Sequence, residues 1–233
     1  MIKKNKQHLD NFEKNISDVK RLLEIHKILT GPGRGYRKNV EVLNKSCIVL
    51  LVACWEAFLE ELATKAFDYM INNSKDCFIF PNKVLTTASE ELKKDSDSTK
   101  IWLLAGMGWK KVLEQHKDKT LKKFIERFNT PSPEKIKYLF HNLIGLSDVT
   151  QFWYWKGMSI KQANAKLDKL VKLRGEIAHK VQTPNAVDKA CVYDYMKFIY
   201  RISVKCHNNI SNYISNRTHS NNDWPKVRFG RVG

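Results

Sequence analysis

Two side chains that can carry out phosphate chemistry stand five positions apart, Arg174 and His179, in the run Arg174-Gly175-Glu176-Ile177-Ala178-His179. Arginine keeps its charge at physiological pH, and it can hold a phosphate and the negative charge that develops on it. Histidine can accept and release a proton near neutral pH. RNA supplies its own nucleophile, the 2′-hydroxyl. Together, these two side chains could therefore cleave RNA without a metal ion.

The same pair also has a purely structural interpretation. Residues 159–178 carry apolar side chains at helical spacing, which predicts an amphipathic helix that ends near His179. Cations favour the negative end of a helix dipole, so Arg174 and His179 could be capping groups only. A five-residue step turns about 140° beyond one full helical turn. We therefore expect the helix to end near His179 and leave the imidazole free to turn back towards Arg174.

Composition and charge narrow the class of partner. The 233 residues are 42% hydrophobic and 28% charged, as in a globular protein, and the net charge is +17. Such a field attracts polyanions, with nucleic acid as the leading candidate and a solubility surface as the alternative. No apolar run reaches the roughly 18 residues of a membrane span, and the N-terminal residues lack the apolar core of a signal peptide. RNA is therefore the expected partner, with no membrane association.

The thiols and imidazoles indicate neither disulfides nor metal. The five cysteines form no CxxC pair and no even framework, which predicts reduced thiols in a cytoplasmic protein. The seven histidines and five cysteines do not cluster at metal-ligand spacing. We therefore expect neither a metal ion nor any other cofactor.

Helical periodicity dominates the chain, and no stretch shows the sustained alternation of a strand. This predicts an all-α bundle. A polar, loop-rich excursion is expected over residues 73–100. The predicted helices cover residues 5–29, 37–72, 101–128 with a bend near Gly106 and Gly108, a segment restarting at Pro133 and running through Phe140, residues 159–178, and a last helix from Thr183-Pro184 to about Ile214.

One domain is predicted over residues 1–215, with 73–128 as an elaboration of it. Ser147-Asp148 is expected to cap a short element inside this domain. Residues 216–233 are rich in Asn, Ser, Arg and Gly, which predicts a loosely ordered basic tail.

Glu56 stands inside the most apolar segment of the chain, directly after Trp55. A carboxylate in such a segment needs water or a partner. Two interpretations remain open: Glu56 faces solvent beside Glu60, one turn further on, or it orients a buried arginine or histidine.

Three segments carry a resemblance to a known family. Residues 167–179 resemble the R-x4-6-H signature of the HEPN superfamily. Residues 53–60 (Ala-Cys-Trp-Glu-Ala-Phe-Leu-Glu) and 128–133 (Phe-Asn-Thr-Pro-Ser-Pro), with apolar residues following the latter, are similar to its RiboL-PSP-HEPN branch. The resemblance spans roughly residues 45–205, with the three segments in the family's order.

The resemblance implies an all-α HEPN bundle with additional helices that dimerises through the helix carrying the signature. It also implies a metal-independent endoribonuclease, often a toxin or an antiphage, abortive-infection effector. Arg174 and His179 would be the catalytic pair of a composite site at the dimer interface. The expected auxiliary residues are Glu56 as an orienting acid, Glu176, and Lys180 as a further cation for the phosphate.

This chain departs from the family pattern at two positions. Many members carry Asn, Asp or His after the arginine, where this chain has Gly175, and many carry Gly after the histidine, where it has Lys180. A polar auxiliary is therefore missing at position 175. Two other functions stay open: a catalytically inactive HEPN module that binds RNA or protein, and a member of a two-gene system with an antitoxin or other defence-system partner.

Overall fold

The computed structural model describes residues 6–31, 40–126, 128–180, 186–221 and 224–228, and most of these are helical. Within these ranges the only β-type pairing is an isolated bridge between Trp155 and Met158. The predicted all-α fold is therefore confirmed. The α-helices are α1 (Gln7–Thr30), α2 (Glu41–Asn73), α3 (Asn82–Lys94), α4 (Gly108–Gln115), α5 (Lys117–Ile125), α6 (Pro133–Ile144), α7 (Ile160–Lys180) and α8 (Lys189–Thr218).

The long helix α2 forms the centre of the bundle. It packs against α1, α4, α6, α7 and α8. The Trp55 side chain is completely buried, stacks on Phe58 with ring centroids 5.8 Å apart, and meets the edge of Trp153 at 6.3 Å. Since apolar residues lie on most sides of α2, its burial removes a large apolar area from water.

Length and composition alone would also let α2 cross a membrane. However, 50% of its most apolar window is buried inside the fold. This is the pattern of a core helix, because a membrane-spanning helix would direct those side chains to lipid.

Local signals in the sequence correctly placed two helix starts. Ser132 caps α6 by accepting a hydrogen bond from the Lys135 amide, and Pro133 occupies the first turn. Asp148 caps the short 3-10 segment Val149–Phe152 by accepting a bond from the Thr150 amide at 2.9 Å.

Two expectations were wrong. The segment predicted as a polar loop over 73–100 contains α3, which buries Val84 and Ala88, one helical turn apart, beneath polar neighbours. The last helix begins at Lys189, because the Asp188 carboxylate accepts a 2.7 Å bond from the Cys191 amide. The predicted start itself, residues 183–184, lies outside the described residues, but residues 186–188 are described and are not helical. At its other end α8 continues past Ile214 to Thr218.

The described part of the expected tail is packed against the bundle. Trp224 is buried and stacks on the His207 ring, with centroids 5.5 Å apart and planes 9° from parallel. Asn208 exchanges two hydrogen bonds with the Val227 backbone, at 2.8 and 2.9 Å. Residues 224–228 therefore differ from the loosely ordered tail that composition predicts, because one tryptophan anchors them.

A buried histidine pair joins α1, α8 and this C-terminal segment. His207 Nε2 lies 2.9 Å from the Pro225 carbonyl, which can only accept, so this nitrogen carries the proton. Nδ1 of a neutral His207 must then accept a bond from His8 Nε2 at 2.8 Å. Burial, followed by His207 and Lys65, lowers the pKa of His8 to about 3. Burial also lowers the pKa of His207. The fold thus requires two neutral imidazoles.

This pair predicts a specific acid sensitivity. The pKa of His8 falls from 6.5 to about 3 on folding, so its contribution to stability is complete above pH 6.5 and is lost as the pH falls towards 3. In His8→Gln, the amide can still donate a hydrogen bond but does not titrate. We expect the free energy of unfolding of this variant, measured by urea denaturation, to depend less on pH over that interval. His141→Gln, at an exposed histidine of α6, is the matched control. An unchanged pH slope in His8→Gln would contradict the prediction.

Candidate active site

Helix α7 carries the Arg-His motif, residues 174–179, at its C-terminal end. It starts with a capping box, in which the Ser159 amide donates to Gln162 Oε1 at 2.8 Å and the Gln162 amide donates to Ser159 Oγ at 3.3 Å. Ala163, Leu167 and Leu170 are fully buried. From Val171 to His179 the residues of α7 are only partly buried or exposed, although Leu173 and Ile177 still pack against the core. The motif therefore lies on a well-anchored helix whose last turns are only partly covered by the bundle.

Arg174 and His179 lie on different faces of α7. The helix ends at Lys180, close to the predicted end, but it still includes His179. Five residues of helix separate the two side-chain directions by about 140°. The Arg174 side chain is half-buried and His179 is exposed. One chain alone therefore does not bring the guanidinium and the imidazole to the same face.

Glu56 lies half-buried on α2, facing α7 and α6. Burial raises the pKa of Glu56, while the charges of Arg174 and then Lys135 oppose this rise. Burial also raises the pKa of Glu60, and the Glu56 carboxylate adds to that effect. Glu56 is thus half-buried, one helical turn from Glu60 and within electrostatic reach of Arg174, and its role as an orienting acid stays a prediction.

Two other charged residues near the motif were not identified from the sequence. Lys135, in the first turn of α6, acts on Glu56 and donates a 2.9 Å bond to Asn129 Oδ1. On α7, burial and then the Glu134 charge raise the pKa of Asp168. Nothing in the local spacing of Lys135 or Asp168 distinguishes them from other charged helix residues. Only the packing of α6 against α2 and α7 reveals their position.

The remaining predicted auxiliaries occupy the end of α7. Glu176 is half-buried. Lys180 is the last residue of the helix, and its side chain lies outside the described residues. A Cβ atom placed on Gly175 would meet no heavy atom within 4 Å. Packing therefore does not require the glycine at the position where many members of the resembled family carry a polar residue.

An apolar groove adjoins the motif, and we call it the motif groove. Its volume is about 440 Å³. Val42, at one side of it, is 63% exposed. Exposed apolar surfaces of this kind are candidates for contact with a partner. The groove is lined by Leu22, Val42, Lys45, Ser46, Val49, Leu50, Ala53 and Ile177.

Among the residues that the structure describes, no group of three or more His, Cys, Asp or Glu side chains is placed to hold a metal ion. The five cysteines are all free, and three of them are buried. Burial raises the pKa of Cys47 and Cys54 to about 11, so these thiols are protonated at neutral pH.

Comparison with known proteins gives one match. The family model described as RiboL-PSP-HEPN matches residues 11–216 of the chain, which includes all the helices that surround the motif. This confirms the resemblance found in the sequence. No curated protein and no solved structure matches the chain.

The partial burial of Glu56 predicts that its ionised carboxylate lowers the stability of the folded protein. Because folding raises the pKa of Glu56, the ionised carboxylate is less favourable in the folded protein than in the unfolded chain. We expect Glu56→Gln to raise the melting temperature at pH 7, and the gain to disappear as the pH falls through the folded pKa. Glu24→Gln, at an exposed position of α1, is the control. A lower melting temperature for Glu56→Gln at pH 7 would show that the attraction to Arg174 outweighs burial.

Proposed function

The chain belongs to the RiboL-PSP-HEPN family, and we propose that it is a metal-independent endoribonuclease with Arg174 and His179 as its catalytic residues. One observation carries the proposal. The last turns of α7 hold a guanidinium and an imidazole in this family's order at positions that core packing does not need. An exposed imidazole can exchange protons with a substrate, and a half-buried guanidinium can hold a phosphate in a fixed orientation.

The proposed reaction uses the 2′-hydroxyl of RNA as the nucleophile. One His179 imidazole removes the proton of this hydroxyl, whose oxygen then attacks the adjacent phosphorus. The guanidinium of Arg174 stabilises the negative charge that gathers on the phosphate oxygens. A second imidazole gives a proton to the departing 5′-oxygen. The products are a 2′,3′-cyclic phosphate and a free 5′-hydroxyl. DNA lacks the 2′-hydroxyl and cannot react in this way.

We propose that a second copy of the chain supplies the second imidazole. A two-fold dimer with facing motifs offers one histidine as base and another as acid. Such a dimer also removes the need for Arg174 and His179 of one chain to share a face. The motif groove lies directly beside Ile177 and is mostly apolar, and it is the surface we assign to the partner copy. In the cell, this nuclease would act as a toxin or antiphage effector on RNA.

One observation favours a second candidate function. Glu56 lies within electrostatic reach of Arg174, with Glu60 one helical turn further along α2, and a carboxylate there would oppose the approach of a phosphate. A catalytically inactive HEPN module in a two-gene system, with the same surface binding RNA or a partner protein, would tolerate this arrangement. Cleavage by the purified protein separates the two functions.

The proposed chemistry predicts the behaviour of three variants. Wild type should cleave total RNA in the presence of EDTA and leave 2′,3′-cyclic ends. Arg174→Ala and His179→Ala should each lose cleavage. Their free energies of unfolding should stay within about 1 kcal/mol of the wild-type value, because neither side chain is in the core. His141→Ala, at another exposed histidine, is the control and should cleave normally. Undiminished cleavage by His179→Ala would remove the catalytic assignment.

The proposed dimer predicts that one exposed apolar residue controls both assembly and cleavage. Val42→Asp places a charge in the motif groove, so we expect it to shift the protein to monomers in sedimentation analysis and to weaken RNA cleavage. Val42 is 63% exposed, so the monomer should still fold. Ile101→Asp is the matched control, since Ile101 is 64% exposed and does not line the groove. A monomeric Val42→Asp protein with full activity would contradict the composite site.

A further inference from the structure

A rigid turn after the 3-10 segment Val149–Phe152 presents an exposed aromatic ring. Trp153 anchors this turn: it is fully buried, and its Nε1 donates to Cys206 Sγ at 3.2 Å. Two backbone bonds join Trp155 and Met158, at 3.0 and 2.9 Å. Gly157, at φ +82°, provides the left-handed residue that the turn requires. Tyr154, between the buried tryptophan and the turn, is 57% exposed.

Two cations from successive turns of α8 lie against this segment. Lys205 Nζ is 4.8 Å from the centre of the Tyr154 ring, and the Arg201 guanidinium is 5.1 Å from the centre of the Trp155 ring. Burial and then the Arg201 charge lower the pKa of Lys205. Two like charges are thus held near each other beside an exposed ring. A bound anion would relieve their repulsion.

We propose that Tyr154, Arg201 and Lys205 form a binding platform for single-stranded RNA, separate from the Arg-His motif. A base stacks on the exposed face of the Tyr154 ring, and the adjoining phosphate contacts Arg201 and Lys205. Aromatic rings interleaved with basic side chains are the usual means of holding a single strand without regard to sequence. A duplex keeps its bases stacked inside and offers none to the tyrosine. The platform rests on the proposed function for the identity of its ligand as RNA.

The position of the platform suits a substrate that extends to the motif. The 3-10 segment before Tyr154 packs on α7, where Asn164 Nδ2 donates to Thr150 Oγ1 at 3.5 Å. The ten-residue step along α7 from Asn164 to Arg174 corresponds to a rise of about 15 Å. At about 3.4 Å for each stacked nucleotide, this is about four nucleotides. The platform therefore selects RNA with a single-stranded stretch near the cleavage point, and it would strengthen binding of the substrate without taking part in the chemistry.

The test measures binding apart from cleavage. The probe is a fluorescent, 2′-O-methylated single strand of about ten nucleotides, which spans both sites and cannot be cleaved because its 2′-oxygen carries no proton. We expect Tyr154→Ala to weaken binding, measured by anisotropy, about 5- to 150-fold, the range for loss of one stacked base. Tyr154→Phe keeps the ring and should bind as wild type. Lys205→Gln should also weaken binding.

A matched pair elsewhere on the surface controls for charge and for exposed tyrosine. Lys83 Nζ lies 5.4 Å from the Tyr138 ring, and Tyr138 is 40% exposed. Tyr138→Ala and Lys83→Gln make the same chemical changes on α6 and α3, and they should leave affinity within about twofold of wild type. Melting temperatures of all variants verify that they fold.

Three results would overturn the platform: unchanged affinity in Tyr154→Ala, equal losses in the two tyrosine–lysine pairs, or equal affinity of wild type for the single strand and its duplex. Loss of affinity in Tyr154→Ala but not in Tyr154→Phe or Tyr138→Ala would support it. The binding result does not depend on catalysis. A wild-type protein that binds through Tyr154 but cleaves no RNA would refute the nuclease and leave the platform standing.

Discussion

The burial of α2 is the constraint on which the rest of the structure depends. Its apolar residues occupy more than one face, so a single partner helix could not cover them, and five helices surround it. Covering α2 fixes where α7 must lie, and this in turn places Arg174 beside Glu56. The position of the Arg-His motif therefore follows from the demands of the core. After Leu170 the helix is less deeply covered, although Leu173 and Ile177 still pack against the core.

The partly buried carboxylates of α2 are not explained by the packing of the core. Glu56 and Glu60 lie one helical turn apart, and burial disfavours the ionised form of both. A core selected for stability alone would carry neutral residues at these positions. Two partly buried acids one turn apart, the first within electrostatic reach of a half-buried arginine, are the local inconsistency expected at a functional surface. An acid there can hold the guanidinium in one orientation, and it also reduces the positive potential that a phosphate meets.

The features that local chemistry encodes could be predicted from the sequence. The periodicity of α1, α2 and α7 placed them within a few residues, because each buries an apolar stripe, and the Ser132-Pro133 and Asp148 starts follow from capping. Helix α3 was missed because its buried face, which includes Val84, Thr87 and Ala88, is short and stands among many polar residues. The pairs Glu56–Lys135 and Tyr154–Lys205 join segments far apart in the chain. No local pattern encodes such contacts, so they required the packed structure.

The hydrogen bonds from His8 to His207 and from His207 to Pro225 constrain the order in which the parts of the molecule can fold during synthesis. The two imidazoles are 199 positions apart, and Trp224 stacks on the second of them. Contacts of such long range form late, since a large loop must first be brought together. On the ribosome, α1 can find its last partners only after residue 225 has left the exit tunnel. Until then the nascent chain carries α7 without a completed bundle, and any activity that needs the finished core begins only after Trp224 and Pro225 have docked.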